Sequence, residues 1–338
     1  MARSLPIPDF FAPERVGKLW KVDYARVAEA ARRWRKQWDV RPASADETRV
    51  CLLLIDVQNT FCLPEFELFV AGRSGTGAVD DNRRLCEFIY RNLERLTQIV
   101  LTLDTHGPLQ IFHPDFLVDS SGQPPAPHTV ITAEDLRLGR WRVHPEAARA
   151  VGYDPEILQR YAVRYAESLE STGRFQWTVW PYHAMLGGIG HALVPAVEEA
   201  VFFHSVARFT APRFEVKGNL PFTEYYSVFG PEVRRTPEGD TLERNRELIA
   251  YLADFDRVVV AGQAMSHCVA WSIRDLLDDP EFGTRIAAKM VALTDCMSPV
   301  VVPGVVNFTE QAESMFASFA RRGVELTPSR EMWQDESP

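Results

Sequence analysis

A chain of 338 residues can bury one large core or two modest ones, so its length leaves one elaborated domain or two domains open. A hydrophobic fraction of 46% and a charged fraction of 25% exclude the disordered and fibrous classes, and a net charge of −9 argues against a nucleic-acid partner. No apolar run has signal-peptide or transmembrane length, so we expect a cytoplasmic protein without a membrane partner. The five cysteines are scattered without CxxC spacing and are interpreted as reduced thiols.

The N-terminal segment, residues 1–48, predicts an extension that contains one helix. Asp23 is placed to cap a helix that runs to about Trp38. Trp34 and Trp38 are four residues apart and therefore share one side of this helix. We expect that stripe to dock on the main domain or on a partner subunit.

The next segments predict the start of a parallel sheet. Residues 49–56 and 99–104 are continuous apolar runs that fit strands buried on both faces, and residues 81–97 between them have apolar residues at helical spacing. Two consecutive strand and helix units imply right-handed crossovers and a doubly wound sheet. Each strand ends in a carboxylate, Asp56 or Asp104, at the edge where such sheets bind ligands.

The remainder of the chain predicts an insertion and the completion of the sheet. A segment of about 114–176 is too long for a structureless connector, so we interpret it as an insertion over the active site rather than a separate domain. Helices are expected near 145–150, 155–169, 241–253, 267–279 and 309–321, and strands near 199–206, 213–218, 257–262, 287–294 and 324–327. Together these elements predict an α/β domain over residues 49–330, a three-layer α/β/α fold with a doubly wound, mainly parallel sheet of about six strands.

Cys268 is the first candidate for chemistry. Residues 258–261 are an apolar strand that Gly262 interrupts, and an apolar-periodic helix starts near His267. The unpaired N–H groups at a helix start favour a thiolate and can hold a developing oxyanion. The alternative is a half-buried thiol that only packs.

Asp104 and His106 form a D-x-H pattern at a strand end, where alternation turns both side chains to one side. A third nitrogen ligand would complete a site for a divalent transition metal, and the candidates are His113 and His183. The alternative is that these histidines are ordinary polar loop residues.

Asp56 and Lys217 are the remaining charged candidates. A carboxylate at a buried strand end can take a proton from a thiol, and a nearby lysine would lower the proton affinity of both groups. Lys217 ends a short alternating strand before Gly218. The alternative is an edge-strand lysine in solvent.

Five ordered motifs resemble those of the isochorismatase-like cysteine hydrolases, in their nicotinamidase branch. They are the opening strand with its acidic residue, the D-x-H pattern, a W-P-x-H pattern, Lys-Gly followed by Ser-Val-Phe, and the glycine to cysteine stretch. In this chain they are Leu53 to Phe61, Asp104 to His106, Trp180 to His183, Lys217-Gly218 with Ser227 to Phe229, and Gly262 to Cys268.

The resemblance implies a role for each of these residues. Cys268 is the nucleophile, Asp56 accepts and later donates the proton, and Lys217 orients and polarises. The peptide bond Gln263–Ala264 is cis, and the N–H groups of Ala264 and Cys268 face the oxyanion. Substrate-binding residues are Phe61, Trp180 and His267.

The resemblance also implies a divalent metal ion, a small-molecule substrate and a homo-oligomer. One zinc, iron or manganese ion per chain is held by Asp104, His106 and His183, with His113 as a further candidate, and it holds a pyridine-type nitrogen or a water. Gln110 stands where the family often has an extra histidine.

The expected reaction is hydrolysis of a carboxamide through a thioester, with nicotinamide to nicotinate and ammonia as the leading substrate pair. Another amide or carbamoyl compound is the near alternative, because the insertion is longer than the loop of the family. The sequence also leaves open an isochorismatase-type vinyl-ether hydrolase and a scaffold without catalytic activity.

Overall fold

The structure, a computed structural model, describes residues 3–173 and 175–333. Its helices are α1 (Tyr24–Trp38), α2 (Asn59–Cys62), α3 (Gly77–Arg91), α4 (Ala133–Arg137), α5 (Pro145–Ala150), α6 (Pro155–Thr172), α7 (Pro195–Arg208), α8 (Arg246–Ala253), α9 (Ala270–Leu277), α10 (Gly283–Ala287) and α11 (Thr309–Arg321). Its strands are β1 (Val50–Ile55), β2 (Gln98–Asp104), β3 (Leu117–Val118), β4 (Val130–Ile131), β5 (Arg142–Val143), β6 (Trp177–Thr178), β7 (Arg213–Lys217), β8 (Arg257–Gly262), β9 (Met290–Leu293), β10 (Val301–Val302), β11 (Val306–Asn307) and β12 (Glu325–Thr327).

A six-stranded sheet with the order β12-β9-β8-β1-β2-β7 organises the fold. The pairs β1–β2, β1–β8, β8–β9 and β9–β12 are all parallel. All six residues of β1 are buried, which is the pattern of a strand covered on both faces. The α/β fold with a mainly parallel sheet of six strands is therefore confirmed.

The chain divides into two compact units, of which the first comprises Met1–Leu103, Ala192–Glu215 and Arg246–Pro338. In this unit one hydrophobic core joins alternate residues of the central strands to the inner sides of α1, α3 and α7. The remaining residues of β1, among them Cys51 and Leu53, are equally inaccessible on the opposite face of the sheet. The sheet is thus the middle layer of this unit.

Helix α1 docks on α7 of the same chain. The Asp23 side chain accepts a hydrogen bond from the backbone of Arg26, so the predicted cap is present. Trp34 lies edge-on to Phe203 of α7, with 6.1 Å between the ring centroids.

In the first unit one sequence prediction is wrong, and one predicted helix is present with different bounds. The strand predicted at residues 199–206 lies within α7, which begins at Pro195, a residue favoured in the first turn of a helix. Ten of the residues of α7 are buried, so its apolar run reflects burial on several sides and shows no clear helical period. The helix expected at 81–97 is α3, which begins at Gly77 and ends at Arg91, where the Asn92 side chain caps the carbonyl of Phe88.

The second unit comprises Asp104–His191 and Val216–Asn245. It contains α4 to α6 and two small antiparallel sheets, β3–β5 and β4–β6. The expected helices at 145–150 and 155–169 are present as α5 and α6. The domain boundaries expected at residues 48 and 330, and the insertion at about 114–176, stay predictions. No helix among residues 3–173 and 175–333 is long and apolar enough to span a membrane.

Candidate active site

Cys268 lies in a tight turn that follows β8 in the first unit. The chain passes from β8 into a π-helical turn, Met265–Val269, and then directly into α9. Such turns are frequent at functional sites. Gly262 makes this path possible, because its φ is +120° and a Cβ there would stand 2.0 Å from the carbonyl oxygen of Ile55. Cys268 itself is buried, with 7% of its surface exposed.

Asp56 directly follows β1, the parallel neighbour of β8. It is fully buried and has a left-handed backbone conformation, with φ +46°, which is uncommon outside glycine and is typical of functional positions. Thr102 of β2 fixes it twice: the hydroxyl accepts from the Asp56 N–H at 3.0 Å and donates to the Asp56 carboxylate. The acidic residue is thereby oriented by the adjacent strand.

Three other candidates of the first unit, Gln263, Ala264 and His267, lie in this turn or directly before it. The peptide bond between Gln263 and Ala264 is cis, which is the geometry that the resemblance implies. Burial lowers the pKa of His267 to about 3, so its ring is neutral, and its Nδ1 lies 2.8 Å from the Ser266 hydroxyl. Phe61 is buried in α2.

Lys217 is a buried lysine of the second unit, so the solvent-exposed alternative is wrong. Only 2% of its surface is exposed. Its ammonium donates to Asp104 Oδ1 at 2.9 Å and to the carbonyl of Tyr225 at 2.8 Å. Burial alone would raise the pKa of Asp104, but His106 and Lys217 beside it outweigh this and hold that pKa well below the usual range.

Three buried histidines of the second unit form a group that could hold a metal ion. His106, His113 and His183 each offer a ring nitrogen, and these atoms lie within 4.8 Å of one another. Asp104 adjoins the group, with Oδ1 at 3.1 Å from His106 Nε2 and Oδ2 at 3.7 Å from His183 Nε2. His113, which the sequence left as a further candidate, thus belongs with the other two.

The hydrogen bonds of these rings set the tautomer that a metal requires. In each ring Nδ1 faces a backbone carbonyl: His183 Nδ1 lies 2.8 Å from Pro181 O, His106 Nδ1 3.2 Å from His183 O, and His113 Nδ1 3.3 Å from Pro108 O. Because a carbonyl only accepts, Nδ1 carries the proton and Nε2 keeps its lone pair. Burial lowers the pKa of His113 to about 2, so this ring stays neutral.

The Nε2 atoms also fit a cation. Within the described part of the chain, the buried Nε2 atoms of His106 and His113 have no hydrogen-bond partner. His106 Nε2 lies 3.1 Å from Asp104 Oδ1, and a cation bound between these two atoms would take the place of the proton that otherwise pairs them. The donor set of imidazoles with an adjacent carboxylate suits a divalent transition metal.

Gly218 lets the backbone pass close to this group. Its φ is +84°, and a Cβ there would lie 2.8 Å from Asp104 Oδ1 and 2.9 Å from His106 Nε2. Gln110, which stands where the family often has an extra histidine, is buried and donates to the Gly218 carbonyl at 3.0 Å. This residue therefore braces the loop, and His113 supplies the additional imidazole.

The second unit also contains a buried acid that no sequence motif marks. Glu224 is 6% exposed, and burial, followed by the charge of Asp104, raises its pKa to about 8. Nearby in sequence, the Tyr226 hydroxyl accepts a hydrogen bond from the indole of Trp180 at 3.2 Å. No spacing pattern marks this segment, so the sequence offered no signal for it.

The candidate residues divide between the two units. The first unit contains Asp56, Phe61, Gln263, Ala264, His267 and Cys268. The second unit contains Asp104, His106, His113, Trp180, His183 and Lys217. Their catalytic and binding roles stay predictions.

Comparison with known proteins gives structural matches without matches in sequence. No family model matches the chain, and no curated protein matches it. The structure of the Acinetobacter baumanii nicotinamidase pyrazinamidease superposes with a TM-score of 0.50 at 18% identity, covering 85% of this chain and 99% of that one. The yeast nicotinamidase bound to the inhibitor nicotinaldehyde superposes with a TM-score of 0.52 at 15% identity, covering 82% and 99%.

The chain has the nicotinamidase fold. The likeness extends over most of this chain and nearly all of each solved structure. At these identities the likeness concerns the fold alone.

Proposed function

We propose that the protein is a metal-assisted cysteine amidohydrolase that acts on a small carboxamide, with nicotinamide as the leading substrate. The observation that carries the proposal is the buried turn after β8, which holds Cys268 at the start of α9 in a chain with the nicotinamidase fold. Two further residues support it. Asp56, which follows the adjacent strand, is buried and makes two hydrogen bonds with Thr102, and Lys217 is buried against Asp104.

In the first half-reaction, Asp56 takes the proton of the Cys268 thiol, and the sulfur adds to the carboxamide carbon. The N–H groups of Ala264 and Cys268 receive the oxyanion. Asp56 then returns the proton to the nitrogen and the C–N bond breaks. Ammonia departs, and a thioester remains on Cys268. Lys217 orients the reacting groups through its positive charge.

In the second half-reaction, Asp56 accepts a proton from a water that attacks the thioester carbon. The C–S bond breaks, the sulfur recovers its proton, and the carboxylic acid product is released. Phe61, Trp180 and His267 are the residues proposed to bind the substrate.

The three histidines fit a divalent ion, with Asp104 as a neighbouring oxygen donor. When bound, such an ion would supply a Lewis acid for a ring nitrogen of the substrate or for a water. The residues His106, His113 and His183 would hold it through Nε2 while their Nδ1 atoms donate to the backbone.

A substrate panel scored by ammonia release tests this function. We expect purified protein to release ammonia from nicotinamide, and the panel should include other carboxamides, carbamoyl compounds and isochorismate. Turnover of another amide but not nicotinamide would move the error to the substrate. Turnover of isochorismate but of no amide, or turnover of no compound in the panel, would overturn the proposal of an amidohydrolase.

A further inference from the structure

Gln263, between β8 and the turn that carries Cys268, has an unusually constrained side chain. It is fully buried. Its Nε2 donates to Asp81 Oδ2 at 2.8 Å, and its Oε1 accepts from the backbone N–H of Ser298 at 3.3 Å. Because an amide has donors at one end and an acceptor at the other, a carboxylate on one side and an N–H on the other allow one orientation only.

The partner of Gln263 is a buried carboxylate on α3. Asp81 is 2% exposed, and its second oxygen accepts from Arg84 at 2.9 Å. Burial raises the pKa of Asp81 to about 6, because hydrogen bonds from Ser298 and Gln263 and the charge of Arg84 offset only part of the desolvation. A carboxylate in this environment costs folding stability, so stability alone does not account for it.

The same hydrogen bonds continue into the turn. Ser298, which donates to Gln263, accepts from the backbone N–H of Met265 at 2.8 Å. Two residues further on, the N–H of Val300 donates to the Ser266 hydroxyl at 3.0 Å. Met265 and Ser266 are the first residues of the π-helical turn, so the path from α3 ends on the turn that holds the nucleophile.

We propose that Asp81 is a positioning residue for the reaction: its carboxylate holds the Gln263 side chain and, through Gln263 and Ser298, fixes the turn that presents Cys268. The inference rests on the proposed function and extends it to a residue outside the proposed reacting groups. The contacts named above lie within the first unit.

Reversing the polarity of the pair provides the test. In Asp81→Asn one acceptor becomes a donor, and in Gln263→Glu two carboxylates face each other. In the double variant the new amide at position 81 can donate to the new carboxylate at position 263, which can still accept from the Ser298 N–H. The double variant therefore restores the hydrogen bonds that each single variant breaks.

We expect Asp81→Asn to lower kcat by about 10-fold to 100-fold with KM changed by no more than about threefold, which is somewhat less than the loss of an oxyanion donor. Gln263→Glu should lose at least as much. The double variant should recover to within about fivefold of the wild-type kcat. Asp80→Asn is the matched control, because Asp80 lies on the same helix and pairs with Arg83 at the surface; its kcat should be unchanged.

Two kinetic results would overturn the inference. One is a double variant that is no more active than the weaker single variant, and the other is an Asp81→Asn protein with wild-type kcat. Melting temperature separates positioning from a structural role: we expect Asp81→Asn to melt no lower than the wild type at neutral pH, and a kcat loss that follows a loss of folded protein would contradict us.

Alkylation of Cys268 by iodoacetamide, followed by peptide mass spectrometry, keeps this inference distinct from the proposed function. It needs no substrate. We expect the rate to fall by about threefold or more in Asp81→Asn and to recover in the double variant, because the N–H groups of the turn favour the thiolate only when aligned. If wild-type protein releases no ammonia, the proposed function fails, while the alkylation rates still decide the role of Asp81. Equal rates in all four proteins would refute it.

Discussion

The two units secure their candidate residues in different ways. In the first unit the key side chains are held by side chains far away in sequence: Gln263 by Asp81, 182 residues distant, and Asp56 by Thr102, 46 residues distant. In the second unit two histidines are oriented by backbone carbonyls close by, two residues before His183 and five before His113. The turn of the proposed nucleophile thus depends on tertiary packing, whereas the candidate cation ligands depend largely on local segments. A substitution in one unit should therefore leave the property of the other unit measurable, whether that property is the reactivity of Cys268 or the binding of a cation.

The largest effect is expected at the nucleophile. Cys268→Ala should lower kcat by at least about 1,000-fold, because no thioester can form, while the metal content stays that of the wild type. Steady-state ammonia release and elemental analysis of the same preparation measure both. Cys86→Ala removes another buried thiol of the first unit and should leave kcat close to wild type. If Cys268→Ala also lost its metal, the expectation that thiol chemistry and metal binding are independent would be contradicted.

The buried carboxylate at position 81 should make stability depend on pH. Folded Asp81 keeps its proton up to a pKa of about 6, whereas the unfolded chain loses it near 3.8. The unfolded state therefore holds fewer protons at this residue between these values, so the contribution of Asp81 to wild-type stability falls as pH rises from about 4 to 6 and then levels off.

Asp81→Asn lacks this loss, so between pH 4 and 7 its stability should gain on the wild type by at most about 3 kcal/mol. Urea unfolding at both pH values measures the difference. The substitution also removes the ion pair between Asp81 and Arg84, and this loss limits the gain in stability. Asp295, 3.8 Å from Arg84, remains as a second partner. A difference that is constant with pH would contradict the assignment.

Removing an imidazole of the candidate cation site should weaken the binding of a divalent ion and leave the reactivity of the Cys268 thiol unchanged. His113→Ala and His183→Ala should each weaken binding of a divalent ion by at least about tenfold, because each removes an Nε2 ligand. Titration of chelator-treated protein with zinc measures this directly. His144→Asn is the control, since His144 caps α5 in the same unit and an asparagine can replace that cap. Unchanged zinc affinity in His113→Ala would exclude that residue from the ligand set.

The smallest effect is expected at Thr102. Thr102→Val keeps the shape of the side chain but removes both hydrogen bonds to Asp56. We expect a loss of about 1–3 kcal/mol of stability, since a buried N–H loses its partner, and a fall in kcat of about tenfold. The fall should appear in kcat more than in KM. Wild-type kcat in this variant would show that Asp56 needs no orienting contact.

The sequence predicted the centre of the fold well because burial there leaves a simple pattern. The all-apolar β1, the strand β8 with its apolar run at residues 258–261, and the capped α1 were each expected close to their observed bounds. Residues 199–206 failed for the same reason, since a helix buried on several sides also produces a continuous apolar run.

The candidate site shows a comparable limit. Cys268, His106 and His183 stand in short motifs and could be singled out from the sequence. The link between Asp81 and Gln263 left no trace, because it joins a helix and a loop that become neighbours only when the sheet forms. His113 was left open because its spacing departs from the family pattern, although its ring lies with the other two.

The proposed reaction requires that Cys268 form a thioester with the substrate. Rapid acid quench of wild-type protein during turnover of nicotinamide, or of the best amide of the panel, followed by peptide mass spectrometry, tests it most directly. We predict that the peptide containing Cys268 carries the mass of the acyl group and that the adduct disappears as substrate is consumed. Sustained ammonia release with no adduct on Cys268, together with full activity of Cys268→Ala, would contradict the account.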